Sequence, residues 1–317
     1  MCEHNGGVEK STRAQHAWTH LCSSGLIDRC EVVLGRPVSV VIGRPATDEE
    51  LTTVHSSSHV EEVRRLTEAV RKEPLNKELC QPDGPGGVMY SPSAEPAARL
   101  ACGCVVDAAL DVLTHTEKNR KAGLRRGGVR QGGERERALA FALVRPPGHH
   151  AGADDCEGHR AEGFCFFNSI AVAAGVALDR GACSRVVIVD WDIHHGNGTQ
   201  RLFYADPRVL FISLHRYGDR WYPETGAVDE VGEGSAKGFT INVPWPEDGM
   251  NDSDYFAAIE LVVVPVISSF SPDLLLISAG EHYPPVSLPI PFPLPTHRPK
   301  SHPHQGSMRP MVTSRAG

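Results

Sequence analysis

The chain has 317 residues, 40% of them hydrophobic, which is enough to build one large globular domain or two small ones. Its formal net charge is -7, so the overall field attracts no polyanion, and neither nucleic acid nor a membrane surface is expected as a direct partner. Nine cysteines include no CxxC pair, and an odd count without a framework points to reduced thiols in an intracellular protein. No stretch reaches the ~18 uninterrupted apolar residues of a membrane span, and "MCEHNGGVEK" lacks the apolar core of a secretory signal. The nucleus, the cytoplasm or both are the expected compartments.

In chain order, residues 1–23 read as an irregular segment, and residues 45–66 as two short helical pieces, the first opened by a capping box between Thr47 and Glu50. "AARLACGCVVDAALDVL", residues 97–113, has the apolar spacing of a core-facing helix. Residues 118–137 are charged and glycine-rich with almost no apolar side chains, and read as a solvated, flexible insertion rather than a basic targeting or RNA-contacting patch. From residue 138 strands alternate with helices. "ALAFALV", "RVVIVD", "RVLFISLH", "FTINVPW" and "DLLLISAG" read as strands, while "FNSIAVAAGVAL" and "DSDYFAAIELVVVPVISSF" read as helices. Near-continuous Val/Ile/Leu runs suit strands buried on both faces, so the fold class is α/β with a mostly parallel, doubly wound sheet flanked by helices. After Tyr283 the chain is so rich in proline that neither helix nor ladder can form, and residues 284–317 read as a disordered tail.

Ligand sites in such sheets gather beyond the carboxyl ends of the strands, and the polar clusters fall there: "RPPGHH", "DWDIHHGNG", "LHRYGD" and "AGEHY". Asp192 and His194 are two residues apart, which on an extended segment turns a carboxylate and an imidazole to one side, where they can share a cation. Mixed oxygen and nitrogen donors fit zinc at a hydrolytic site. Asp190 stands on the same side, placed to orient a histidine or to help hold a hard monovalent cation. His149 and His150, adjacent at a strand end, make a candidate general base and general acid. Phe164 and Tyr222 are placed to line a slot for an aliphatic chain, although ordinary core packing explains them equally well.

"RPPGHHA", "GFCFFNSIAVAA", "VDWDIHHGNGTQ", "FISLHRYG" and "DLLLISAG" together resemble the zinc-dependent histone deacetylases, and "RPATDEELTTVHSSSHV" resembles their class II branch. The likeness runs from about Ser24 to Gly280, with residues 24–283 as the deacetylase-like domain. It implies an arginase/deacetylase-like fold, and a reaction that removes acyl groups from the ε-amine of lysine in histones or other proteins, with corepressor proteins as partners. By the same resemblance, Asp192 and His194 are zinc ligands, His150 is the general base and His149 its electrostatic partner. Asp190 orients His149, and Asn197 stands where a second orienting residue is often Asp. Asp190, Asp192, His194, Ser213 and Leu214 would hold a structural potassium, and Gly163, Phe164 and Tyr222 would flank the acyl-lysine tunnel.

The departures are equally specific. His282 occupies the place of the family's third zinc ligand, an Asp. The proline-rich segment stands where family members continue to a Gly-Gly-Tyr whose tyrosine polarises the substrate carbonyl, so the sheet is expected to be incomplete at the C-terminus. These differences predict weak zinc binding and slow turnover. The alternatives are a related deacylase acting on small acetylated amines such as polyamines, and an inactive deacetylase-like fragment that serves as a binding module.

Overall fold

Four apolar runs form the centre of the molecule. The computed structural model describes residues 12–24, 43–73, 88–121, 138–153, 161–247 and 249–280. Strands β1 (Val186–Asp190), β2 (Val209–Arg216), β3 (Thr240–Trp245) and β4 (Leu274–Ser278) make one parallel sheet in the order β3-β2-β1-β4. Successive side chains face opposite sides. Val186, Ile188, Val209, Phe211, Leu274 and Leu276 enter one core, whereas Val187, Val189, Leu210, Ile212 and Leu214 enter the other. Burial on both faces accounts for the unbroken apolar character of β1 and β2.

The larger core is closed by helices α2 (Asp48–Leu51), α3 (Ser57–Lys72), α4 (Ala94–Lys121) and α5 (Ser169–Asp179). Residues 171–178 of α5 are all buried, as a helix apolar on every side must be. The expected capping box is present: Thr47 Oγ1 accepts the Glu50 N–H at 3.2 Å, and Glu50 Oε2 accepts the Thr47 N–H at 3.1 Å. A short helix, α6 (Asn197–Phe203), follows β1.

The second core is closed by α7 (Asp252–Ala258) and α8 (Val264–Phe270), joined by a wide π turn over Ile259–Val263. Pro265, near the start of α8, cannot donate an amide to the preceding turn, and the widened turn absorbs that loss. By length and composition alone the run Asp252–Phe270 would cross a membrane. It carries Asp252, Asp254 and Glu260, and it lays Ala258, Val263 and Ile267 on the sheet.

Three expectations need correction. Residues 138–144 form no strand: Ala142 and Val144 turn inward, but Phe141 is 74% exposed and no strand among the described residues pairs with this segment. An apolar run favours an extended chain, yet a ladder also needs a partner's amides. Within residues 1–23, Thr12–Ser23 form a helix, α1. Residues 118–121 continue α4 and are no part of an insertion. Residues 122–137 and the tail over 284–317 lie outside the described residues.

Candidate metal centre and its histidine pairs

The sheet register sets Asp190 beside Ser213 of β2 on one side and Ser278 of β4 on the other. Beyond Asp190 the chain leaves the sheet, contrary to the extended geometry expected of Asp192 and His194. Asp190 Oδ1 accepts the Asp192 N–H at 3.1 Å, and Asp192 Oδ1 accepts the His194 N–H at 2.8 Å. Short acidic side chains compete well for amides two residues ahead, and two such turns in succession curl the loop. The curl still brings the expected pair together, with His194 Nδ1 3.1 Å from Asp192 Oδ1. Two ligands of a tetrahedral zinc, each bonded at about 2.0–2.1 Å, lie about 3.3 Å apart, so donor types and spacing both fit that ion.

Asp192 is buried, and the end of β4 comes directly against it: a Cβ on Gly280 would lie 2.0 Å from Asp192 Oδ2. His282, two residues further on, lies outside the described residues. Among those residues no group of three or more His, Cys, Asp and Glu side chains is placed to hold a metal ion. Of the residues expected at a potassium site, Ser213 directs Oγ to His215 Nδ1 at 2.9 Å, and the Leu214 side chain is buried in the second core, leaving only its backbone for a cation.

The histidines occupy two different environments. His149 Nδ1 is 2.8 Å from Asp190 Oδ2, and His150 Nδ1 is 2.8 Å from Asn197 Oδ1, with the two rings 4.1 Å apart. Burial opposes a charge on His149, but the nearby carboxylates of Asp190 and then Asp192 outweigh it and raise the imidazole to about 9. Burial, followed by the charge of His149, pushes His150 well below the usual imidazole range, and its bond to Asn197 offsets this only in part. One ring is therefore held as a cation and the other as a neutral base, a division of protonation suited to acid-base chemistry.

Over His150 lie Gly163 and Tyr222, with Phe164 next to Gly163 in the chain. Gly163 (φ 54°) and Phe164 (φ 66°) are both left-handed, and a Cβ at Gly163 would lie 2.3 Å from His150 Cδ2. The Tyr222 ring lies 5.0 Å from His150 and 6.1 Å from His194, and it is 40% exposed, as a wall at the mouth of a slot would be. Two neighbours were missed by sequence reasoning. Trp221 stacks on His194 at 5.2 Å with the Arg216 guanidinium 4.2 Å from the indole, and its place beside Tyr222 in "RWYP" was the available signal. Glu162 binds Asn197, Tyr222 and Arg201 together, and no motif announced it.

The architecture is thus an α/β fold whose parallel sheet carries paired histidines and a facing Asp192–His194 pair at its carboxyl rim. The model of the histone deacetylase domain matches residues 7–282. Histone deacetylase 7 of Homo sapiens is 40% identical over 295 residues, 86% of this chain and 27% of that protein. Histone deacetylase HDA1 of Candida albicans is 41% identical over 242 residues, covering 75% of this chain and 26% of its own. Histone deacetylase 18 of Arabidopsis thaliana is 38% identical over 291 residues, 88% and 37% respectively. The crystal structure of the HDA15 HD domain superposes with a TM-score of 0.68 at 36% identity, covering 90% of this chain and 70% of that one. The chain belongs to the histone deacetylase family, which is zinc-dependent, and it spans 26–37% of the length of these curated relatives.

Proposed function

We propose that residues 24–283 carry the centre of a zinc-dependent amidohydrolase that removes acyl groups from the ε-amine of lysine in histones or other proteins. The observation that carries this reading is the placement of His150, its Nδ1 engaged by Asn197 Oδ1, beside the Asp192–His194 pair. Asp192 and His194 would hold the zinc, and His282 stands in the sequence where the family's third ligand falls. When bound, zinc supplies Lewis-acid polarisation of the acyl carbonyl and of a water. His150 takes a proton at Nε2, and the His149 cation, oriented by Asp190, stabilises developing negative charge. Gly163, Phe164 and Tyr222 line the slot for the lysine chain. Asp190, Asp192, Ser213 and the backbones of His194 and Leu214 would hold a structural potassium. The substrates are met in the nucleus or the cytoplasm, where corepressor proteins would be the partners.

An imidazole at position 282 is longer than an aspartate and neutral, so it would misplace the ion and leave its charge less balanced, and turnover is expected to be slow. The test is release of acetate from an acetyl-lysine histone peptide, leaving a free ε-amine on the peptide, by the purified chain supplied with zinc. Slow turnover that His150→Ala abolishes supports the reading. Turnover equal to that of His150→Ala at every zinc concentration contradicts it and favours a binding module.

A further inference from the structure

Glu162 lies one bond beyond the residues to which the proposed chemistry assigns a role. Its backbone is fixed by a reciprocal pair of hydrogen bonds, Glu162 N–H to Cys165 O at 3.0 Å and Cys165 N–H to Glu162 O at 2.8 Å. Its carboxylate accepts from three side chains: Asn197 Nδ2 at 3.2 Å and the Tyr222 hydroxyl at 2.9 Å on Oε1, and Arg201 Nη2 at 3.1 Å on Oε2. The carboxylate is largely shielded, at 19% exposure.

A carboxylate paired with a guanidinium only accepts hydrogen bonds, so the Asn197 group facing it must be the NH2. That choice leaves Asn197 Oδ1 for His150, and an amide oxygen only accepts. His150 must then donate from Nδ1, which leaves the lone pair on Nε2. We infer that Glu162 is a positioning residue that fixes the amide of Asn197 and, through it, the tautomer of His150, while tying Tyr222 at the slot mouth to the same carboxylate. An asparagine at position 197 is ambiguous by itself, because a flipped amide offers His150 a donor and selects the opposite tautomer. Glu162 removes that ambiguity. An aspartate at 197 would need no such partner, and beside Glu162 it would set two carboxylates against each other.

The inference rests on the proposed role of His150 as proton acceptor, but its test is read without turnover. In the full chain labelled with 15N-histidine, long-range 1H–15N spectra report which imidazole nitrogen carries the proton, and His150→Ala assigns the signals. His150 is expected as a single Nδ1–H tautomer. Glu162→Ala is expected to shift a large fraction to the Nε2–H form, and adding Asn197→Asp to that variant should restore Nδ1–H. Asn197→Asp alone is expected to lower the thermal midpoint by more than it does in the Glu162→Ala background. If Glu162→Ala fails to fold, the isosteric Glu162→Gln decides: Arg201 retains the amide oxygen, the NH2 turns to Asn197, and a mixture of tautomers follows. An unchanged pure Nδ1–H tautomer in the folded variant, or no recovery with Asn197→Asp, overturns the inference. Absence of turnover would defeat the proposed reaction and leave this result standing.

Discussion

His55 Nε2 accepts the backbone N–H of Asn168 at 2.9 Å, while His55 Nδ1 lies 2.7 Å from the carbonyl of Gly152, two residues beyond His150. Asn168 caps α5 and donates Nδ2 to the Ala151 carbonyl at 3.2 Å and to Thr199 Oγ1 at 3.0 Å. A buried histidine from the loop before α3 thus fastens the histidine-pair loop to the start of a core helix.

The two His55 bonds require a neutral ring that donates from Nδ1 and accepts at Nε2. Burial, then the neighbouring His59, depress the imidazole to about 3 from 6.5, against a smaller opposing effect of the Gly152 bond. Between those values the unfolded chain binds the proton and the folded chain does not. The stability from this group is therefore complete above pH 6.5 and is lost as the pH falls toward 3. Chemical denaturation at successive pH values should show a decline of up to about 1.4 kcal/mol per pH unit from this residue. His55→Ala should lower stability at pH 8 and flatten the decline. A decline as steep in the variant would remove His55 from the account.

Glu50 anchors the α2 end of the larger core. Its side chain is 5% exposed and is gripped by Arg44 at 2.7 Å and Arg180 at 2.8 Å, besides closing the Thr47 capping box. Glu50→Ala is expected to cost about 2–3 kcal/mol, because it removes a buried acceptor and a cap together. Arg180→Ala, at a half-exposed side chain, should cost under about 1 kcal/mol. Equal costs in urea denaturation would mean that the ion pair, not the buried carboxylate, matters.

Gly163 has no room for a side chain: besides His150, a Cβ would meet the Tyr222 hydroxyl oxygen at 2.9 Å, at a φ of 54°. Gly163→Ala should destabilise the fold by about 1–2 kcal/mol and reduce turnover, with zinc content unchanged. Metal loss in this variant would show that the turn supports the ion as well as the slot.

The strands β1, β2 and β4 were legible because two-sided burial writes itself as unbroken Val, Ile and Leu. The segment 138–144 carried the same signature without a partner strand, a property of the whole sheet that no local pattern encodes. At the site, Asp190, Asp192, His194, His149 and His150 announced themselves as polar residues at strand ends. Glu162 did not, because its three partners lie 35, 39 and 60 residues away and meet it only in the folded chain. His55 was equally silent, a single histidine whose partners are backbone groups of distant loops.

The division of labour between metal ligand and proton acceptor is tested most directly by zinc affinity, measured by titration of the purified chain and two variants. Asp192→Ala is expected to weaken zinc binding by at least about tenfold, since it removes one of two facing donors, whereas His150→Ala, whose ring is engaged by Asn197, should bind zinc as the parent does. Equal weakening in both variants, or none in Asp192→Ala, would contradict the assignment.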